Sequence, residues 1–110
     1  MQINRIRGDT YADSLIVSND SAGETANLSG CSLLMTLNTV RNPTDNSTQV
    51  YQIVGEIVDA EAGIVEFIPT AEQADNVGLF YYDIQMLDAQ GIRRTLVKDV
   101  YQYIQDITKN

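Results

Sequence analysis

Between Gly78 and Gly91 the chain reads Gly-Leu-Phe-Tyr-Tyr-Asp-Ile-Gln-Met-Leu-Asp-Ala-Gln-Gly, an alternating run that ends in a tight turn. Phe80, Tyr82, Ile84 and Met86 share one face at period two, with Tyr81, Asp83 and Gln85 on the other. Asp88-Ala89-Gln90-Gly91 carries turn chemistry, Asp at the first position and Gly at the last, and a second apolar run opens at Ile92. A long, half-buried antiparallel hairpin commits such a chain to a sheet. It also moves the expected function to surfaces and strand edges rather than to a catalytic pocket.

The rest of the chain is punctuated in the same style. Turns are expected at Arg7-Gly8-Asp9, Asn19 to Gly23, Leu28-Ser29-Gly30, Arg41 to Asn46 and Asp59 to Gly63. Between them, strands are predicted at Gln2 to Arg7, Tyr11 to Ser18, Cys31 to Val40, Gln49 to Val58, Ile64 to Ile68, Leu79 to Leu87 and Ile92 to Ile104. Seven short strands without intervening helical patterns favour an all-β antiparallel sandwich, residues 1–110 forming one domain. One short helical turn is expected over Thr70 to Asp75, where Thr70 and Gln73 have the spacing of a capping box.

Core candidates are Val65, Phe67, Phe80, Tyr82, Ile84 and Leu34, with either Leu33 or Met35. Tyr82 could alternatively fill a tyrosine-corner role, its ring packed and its hydroxyl bonded to backbone. In the last strand Thr95, Val97, Tyr101 and Tyr103 share one parity, while Leu96, Val100 and Ile104 share the other. Two apolar faces on one strand predict either a bulge near Lys98-Asp99 or an outer face covered by a partner.

Composition removes several function classes. Fifteen acidic against seven basic residues give a formal charge of -8, with no basic stripe, so neither nucleic acid nor phosphate is an expected partner. The chain contains no histidine, which excludes ordinary Ser-His-Asp and Cys-His catalysis and imidazole-based zinc sites. Its glycines are too widely spaced for a phosphate loop, and carboxylate pairs such as Glu56 with Asp59 read as solvated surface. No catalytic residue, cofactor or metal site is therefore expected. Cys31, the single cysteine, is expected to be a buried, inert thiol. No segment approaches a membrane span and no apolar leader opens the chain, so folding in a cytoplasm is expected.

Three further motifs have plain structural readings. Arg7-Gly8-Asp9 spells an integrin-recognition tripeptide, yet a glycine-permitted turn between two strands explains it. The sequons at Asn19, Asn27 and Asn46 read as Asx-type turns. Loop acids Asp45, Asp59, Asp75 and Asp88 lack a calcium ligand ladder.

Taken in order, these landmarks resemble the immunoglobulin-like N-terminal domain of bacteriophage baseplate upper proteins and related single-domain phage structural proteins. The resemblance is carried by Arg7-Gly8-Asp9-Thr10, Asn27-Leu28-Ser29-Gly30-Cys31-Ser32 and Gly63-Ile64-Val65-Glu66-Phe67. It continues through the Thr70 to Asp75 link, Phe80 to Gln85, Asp88 to Gly91 and Arg94-Thr95-Leu96. The chain departs from it at Lys98-Asp99 and in the polar loop Asn42 to Asn46, and the further modules of the large adaptors are not expected after Asn110.

The resemblance implies an immunoglobulin-like sandwich serving as a virion structural protein, assembled in the host cytoplasm. Its expected partners are capsid, neck, tail or baseplate subunits and further copies of itself. Capsid cement and a tail, baseplate or fibre adaptor are the two sub-roles. Arg5, Arg7, Arg93 and Arg94 are the candidate charge contacts, and Tyr101, Tyr103 and Ile104 the candidate apolar ones, although the two tyrosines could instead complete the core. The alternative is a carbohydrate- or cell-surface-binding module that uses Tyr11, Tyr51, Tyr81 and Tyr101 as stacking platforms.

Overall fold

A computed structural model describes residues 2–18 and 26–106; the turn and sequon expected at Asn19 to Gly23 and the chain's last residues lie outside them. The described residues form eight strands: β1 (Ile3–Ile6), β2 (Asp13–Ile16), β3 (Ser32–Asn38), β4 (Gln49–Val54), β5 (Glu56–Asp59), β6 (Ile64–Phe67), β7 (Gly78–Leu87) and β8 (Arg93–Ile104). They build two sheets, one in the order β1-β8-β7-β3-β4 and one in the order β2-β6-β5. This is an all-β sandwich with the strand order of immunoglobulin-like domains.

The hairpin that dominates the sequence dominates the larger sheet. Asp88 organises its turn: Oδ1 accepts from the Gln90 and Ile92 amides at 3.0 and 2.9 Å, and the Asp88 amide donates to Ile92 O at 2.9 Å. The register of β7 against β8 then shifts once, between Ile84 paired with Val97 and Gln85 paired with Thr95. Leu96 is the extra residue. The bulge foreseen for this strand exists, but ahead of Lys98-Asp99, and it separates Thr95 from the inward parity of Val97, Tyr101 and Tyr103, while Val100 and Ile104 keep the outer face. Val97, Tyr101 and Tyr103 lie opposite the inward-facing residues of β7, whereas Thr95 lies opposite the outward-facing Gln85.

Two strands differ from expectation. The segment Gln49 to Val58 is not one strand but two, because the chain leaves the larger sheet at Val54 and enters the smaller at Glu56. Gly55 makes this step where a Cβ would come within 2.8 Å of Val65 and 2.9 Å of Phe67, both fully buried. Only glycine fits between the layers there. The first strand is also not antiparallel to its neighbour, since β1 runs parallel to β8, with Ile3 opposite Tyr101 and Ile6 opposite Ile104.

The core lies between the layers and includes Val65, Phe67, Phe80, Tyr82 and Ile84 as expected. The phase of β3 is set by Leu33, Met35 and Leu37, all buried; Leu34 faces outward and is half-buried. Three consecutive apolar residues hid that phase in the sequence. Cys31 is half-buried at the rim of the core rather than enclosed, its thiol 3.9 Å from Ser29 O.

Over Thr70 to Asp75 the chain makes a hydrogen-bonded turn without a helix. The capping box is nevertheless present: the Thr70 amide donates to Gln73 Oε1 at 2.9 Å and the Gln73 amide to Thr70 Oγ1 at 3.1 Å. Gln73 Nε2 also donates to Gln52 O at 3.3 Å, which ties this link to the exposed edge of β4.

Candidate partner-binding surfaces

Tyr101 and Tyr103 lie on the inward face of β8 and are each 1% exposed. Their rings sit 5.0 Å apart, and each meets an aromatic of β7 edge-on, Tyr82 at 5.9 Å and Phe80 at 6.2 Å. The Tyr103 hydroxyl bonds that of Tyr51 at 2.8 Å inside the core. In this fold neither tyrosine can reach a partner; both complete the core.

Arg5 is drawn in by the same cluster. Asp13, 4% exposed at the start of β2, accepts a hydrogen bond from the Tyr101 hydroxyl at 2.6 Å and an ion pair from Arg5 Nη2. Burial pushes the Asp13 carboxyl above its ordinary range, and the Tyr101 hydroxyl and the Arg5 guanidinium pull the other way. Burial and the Asp13 carboxylate likewise raise the Tyr101 phenol. The arrangement links β1, β2 and β8, and therefore both sheets, through one carboxylate. Arg5 is a structural residue.

Arg7 is also engaged, its Nε on Asp106 at 2.9 Å and its Nη1 on Asp75 at 3.0 Å. Gly8, at φ 86°, turns the chain behind it and donates to Ala74 O at 2.8 Å. The Arg7-Gly8-Asp9 tripeptide thus closes β1 onto the Thr70 to Asp75 link, as the plain structural reading expects. Asn27 likewise forms an Asx turn, its Oδ1 accepting from the Ser29 amide at 2.9 Å.

Arg93, Arg94 and Ile104 remain outside. Both arginines are exposed, and their side chains make no hydrogen bond or ion pair among the described residues. Arg93 lies opposite Leu87 and lines a groove of about 510 Å³ over the outer face of β3, β4 and β7, with Leu34, Gln52, Val54 and Gln85 among its other walls. Arg94 lies opposite the inward-facing Met86 and lines a separate slot of about 350 Å³ between β8 and β2. Ile104 belongs to a third feature, an apolar row on the outer face. It pairs with Ile6 across β1 and β8, with Leu79 and Val77 alongside, each of the four about half exposed.

These residues were legible in part. Ile6 was missed because its neighbourhood depends on the parallel pairing of β1, and Val77 and Leu79 because their place beside the end of β8 depends on the β7–β8 register. The tyrosine platform of the carbohydrate alternative does not form: Tyr51 and Tyr101 are buried, leaving Tyr11 exposed and Tyr81 half-buried.

The free edges of the larger sheet differ in accessibility. The Arg7 amide bonds Ile104 O on β8, so Asn4 and Ile6 direct their backbone groups away from β8; Asn4 O accepts from Arg5 Nη1 and Ile6 O from the Asp9 amide. On β4, Gln52 O is taken by Gln73. The stretch of β8 ahead of Tyr101 is different: β1 pairs only with Tyr101 to Ile104, and among the described residues no strand pairs with Arg93 to Val100 on that side.

No family model matches the chain, and no curated protein matches it. Among solved structures, it is similar to the N-terminal domain of phage TP901-1 ORF48, with a TM-score of 0.52 and 12% identity over 96% of this chain and 85% of that one. At that identity the likeness is one of fold, and it extends over nearly the whole sandwich.

Proposed function

We propose that the chain is a bacteriophage virion structural protein that binds other virion subunits through strand edges and surface patches, without catalysis. The observation that carries this reading is the apolar row of Ile6, Ile104, Val77 and Leu79, left uncovered on the outer face of the larger sheet. Grouped half-exposed aliphatics on a sandwich face are what a docked neighbour would bury. The fold shared with a phage protein domain supports the virion setting. So do the sequence landmarks that resemble the baseplate upper proteins. Further copies of the chain are proposed as partners beside capsid, neck, tail or baseplate subunits.

Quantitative mass spectrometry of purified particles tests the reading. The chain is expected at a fixed copy number, in the hundreds if it is capsid cement and far fewer if it is a tail, baseplate or fibre adaptor. Its absence from particles purified from cells that make it would refute a virion role.

A further inference from the structure

We propose that the β8 edge from Arg93 to Lys98 receives an extended, acidic segment of a partner protein as an added strand; this rests on the partner-binding reading above and names the partner's chemistry. Three observations converge on this edge. β8 is twelve residues long, yet β1 covers only its last four, and among the described residues no strand pairs with Arg93 to Lys98 on that side. The slot beneath is lined by Leu15, Val17, Leu96 and Val97 together with Ser18, Arg94 and Thr95, so a strand added to β8 could send alternate side chains between the layers. Finally, the two arginines at the start of this edge make no ion pair among the described residues. Of the chain's basic residues, Arg5 and Arg7 are held in ion pairs and Lys98 by Asn42 at 2.6 Å, whereas Arg93 and Arg94, like Arg41, make no such contact among the described residues.

The two arginines are adjacent and project to opposite faces, one over the outer groove and the other into the slot. A guest strand with carboxylates near its end would meet Arg94 in the slot and Arg93 on the outer face, at a groove that Asp45 and Asp83 also line. A basic guest would meet the same two charges as repulsion, which gives the edge a means of selection. The bulge at Leu96 and the paired cations also blunt the edge against indiscriminate strand pairing.

The test uses the full chain with two synthetic ten-residue peptides, one alternating Val and Glu, the other Val and Lys. Amide shifts and amide exchange are followed by NMR at low and high salt. The expected result is saturable binding of the Val/Glu peptide, with shifts and slowed exchange confined to Arg93 to Lys98 and the Leu15 to Ser18 side of the slot. Binding should weaken with salt and drop about tenfold or more in R93E/R94E. R93Q/R94Q serves as the milder variant, with an intermediate loss, if the reversal perturbs the hairpin. The proposal is overturned if the Val/Glu peptide does not bind, if its shifts map to the outer groove or the Ile6–Ile104 row, or if the Val/Lys peptide binds equally well. Because the assay needs no particle, its failure is distinguishable from absence of the chain from virions.

Discussion

The Tyr101 hydroxyl donates to Asp13 Oδ2 at 2.6 Å, joining the last strand of the larger sheet to the first strand of the smaller one inside the core. The contact spans 88 positions of sequence, so it reports the assembled sandwich rather than any local element. Tyr101→Phe keeps the ring packing but removes a donor from a buried carboxylate. A loss of about 1.5–3 kcal/mol is expected in urea unfolding, the range for hydrogen bonds to charged groups.

Asp13 also sets a pH dependence with a definite sign. Its folded pKa lies above its unfolded value, so the folded state binds the proton more tightly. The associated stability is full below about pH 3.8, the unfolded value, and is lost as pH rises through the raised folded pKa. The stability of the parent minus that of Asp13→Asn should therefore fall as pH increases across that window and level off above it. Unfolding curves at a series of pH values measure this difference directly. A difference that grows with pH would mean that Arg5 and Tyr101 outweigh burial.

The Tyr51–Tyr103 pair predicts a non-additive double-mutant cycle. Tyr51→Phe leaves the Tyr103 hydroxyl without its core partner, at about 1–3 kcal/mol, and Tyr103→Phe leaves Tyr51 only its contact with Tyr101, whereas replacing both removes the unpaired hydroxyl. The double variant should be less destabilised than the sum of the singles. Denaturant midpoints at constant m-value check this.

Gly55→Ala should destabilise by about 1–3 kcal/mol, because the new methyl group overlaps Val65 and Phe67 where the chain changes sheets. Gly63→Ala should also be costly. Gly63 has φ 71°, and its Cβ would lie 2.5 Å from Val17 O, a backbone atom with no side-chain freedom to yield. Thermal melts rank both against an exposed control such as Arg93→Gln, expected to change stability by less than about 0.5 kcal/mol.

The sequence made some of these relationships legible and concealed others for identifiable reasons. The β7–β8 hairpin and the Thr70–Gln73 capping box are local and were written in residue type and spacing. The division of Gln49 to Val58 was signalled only by Gly55, since both halves keep strand character and their assignment to different sheets is a tertiary choice. Leu33, Leu34 and Met35 suit either phase of β3, and packing against β7 decided between them. Of the seven candidate contact residues, Arg5 was absorbed by Asp13 across the turn between β1 and β2, and Tyr101 and Tyr103 by Asp13 and Tyr51, 88 and 52 positions away. Arg7 was taken by Asp75 and Asp106, the former 68 positions away. Arg93, Arg94 and Ile104 stayed outside because, among the described residues, no such partner reaches them.

That division between a closed interior and a partly open rim is the centre of the account. Hydrogen–deuterium exchange of the chain, isolated and then within assembled particles, tests it most directly. Slower exchange on assembly is predicted for β8 from Arg93 to Lys98 and around Ile6 and Ile104, with the amides of β3 and β6 unchanged. Identical exchange at those positions in both states, or protection gained only along β5, would contradict it.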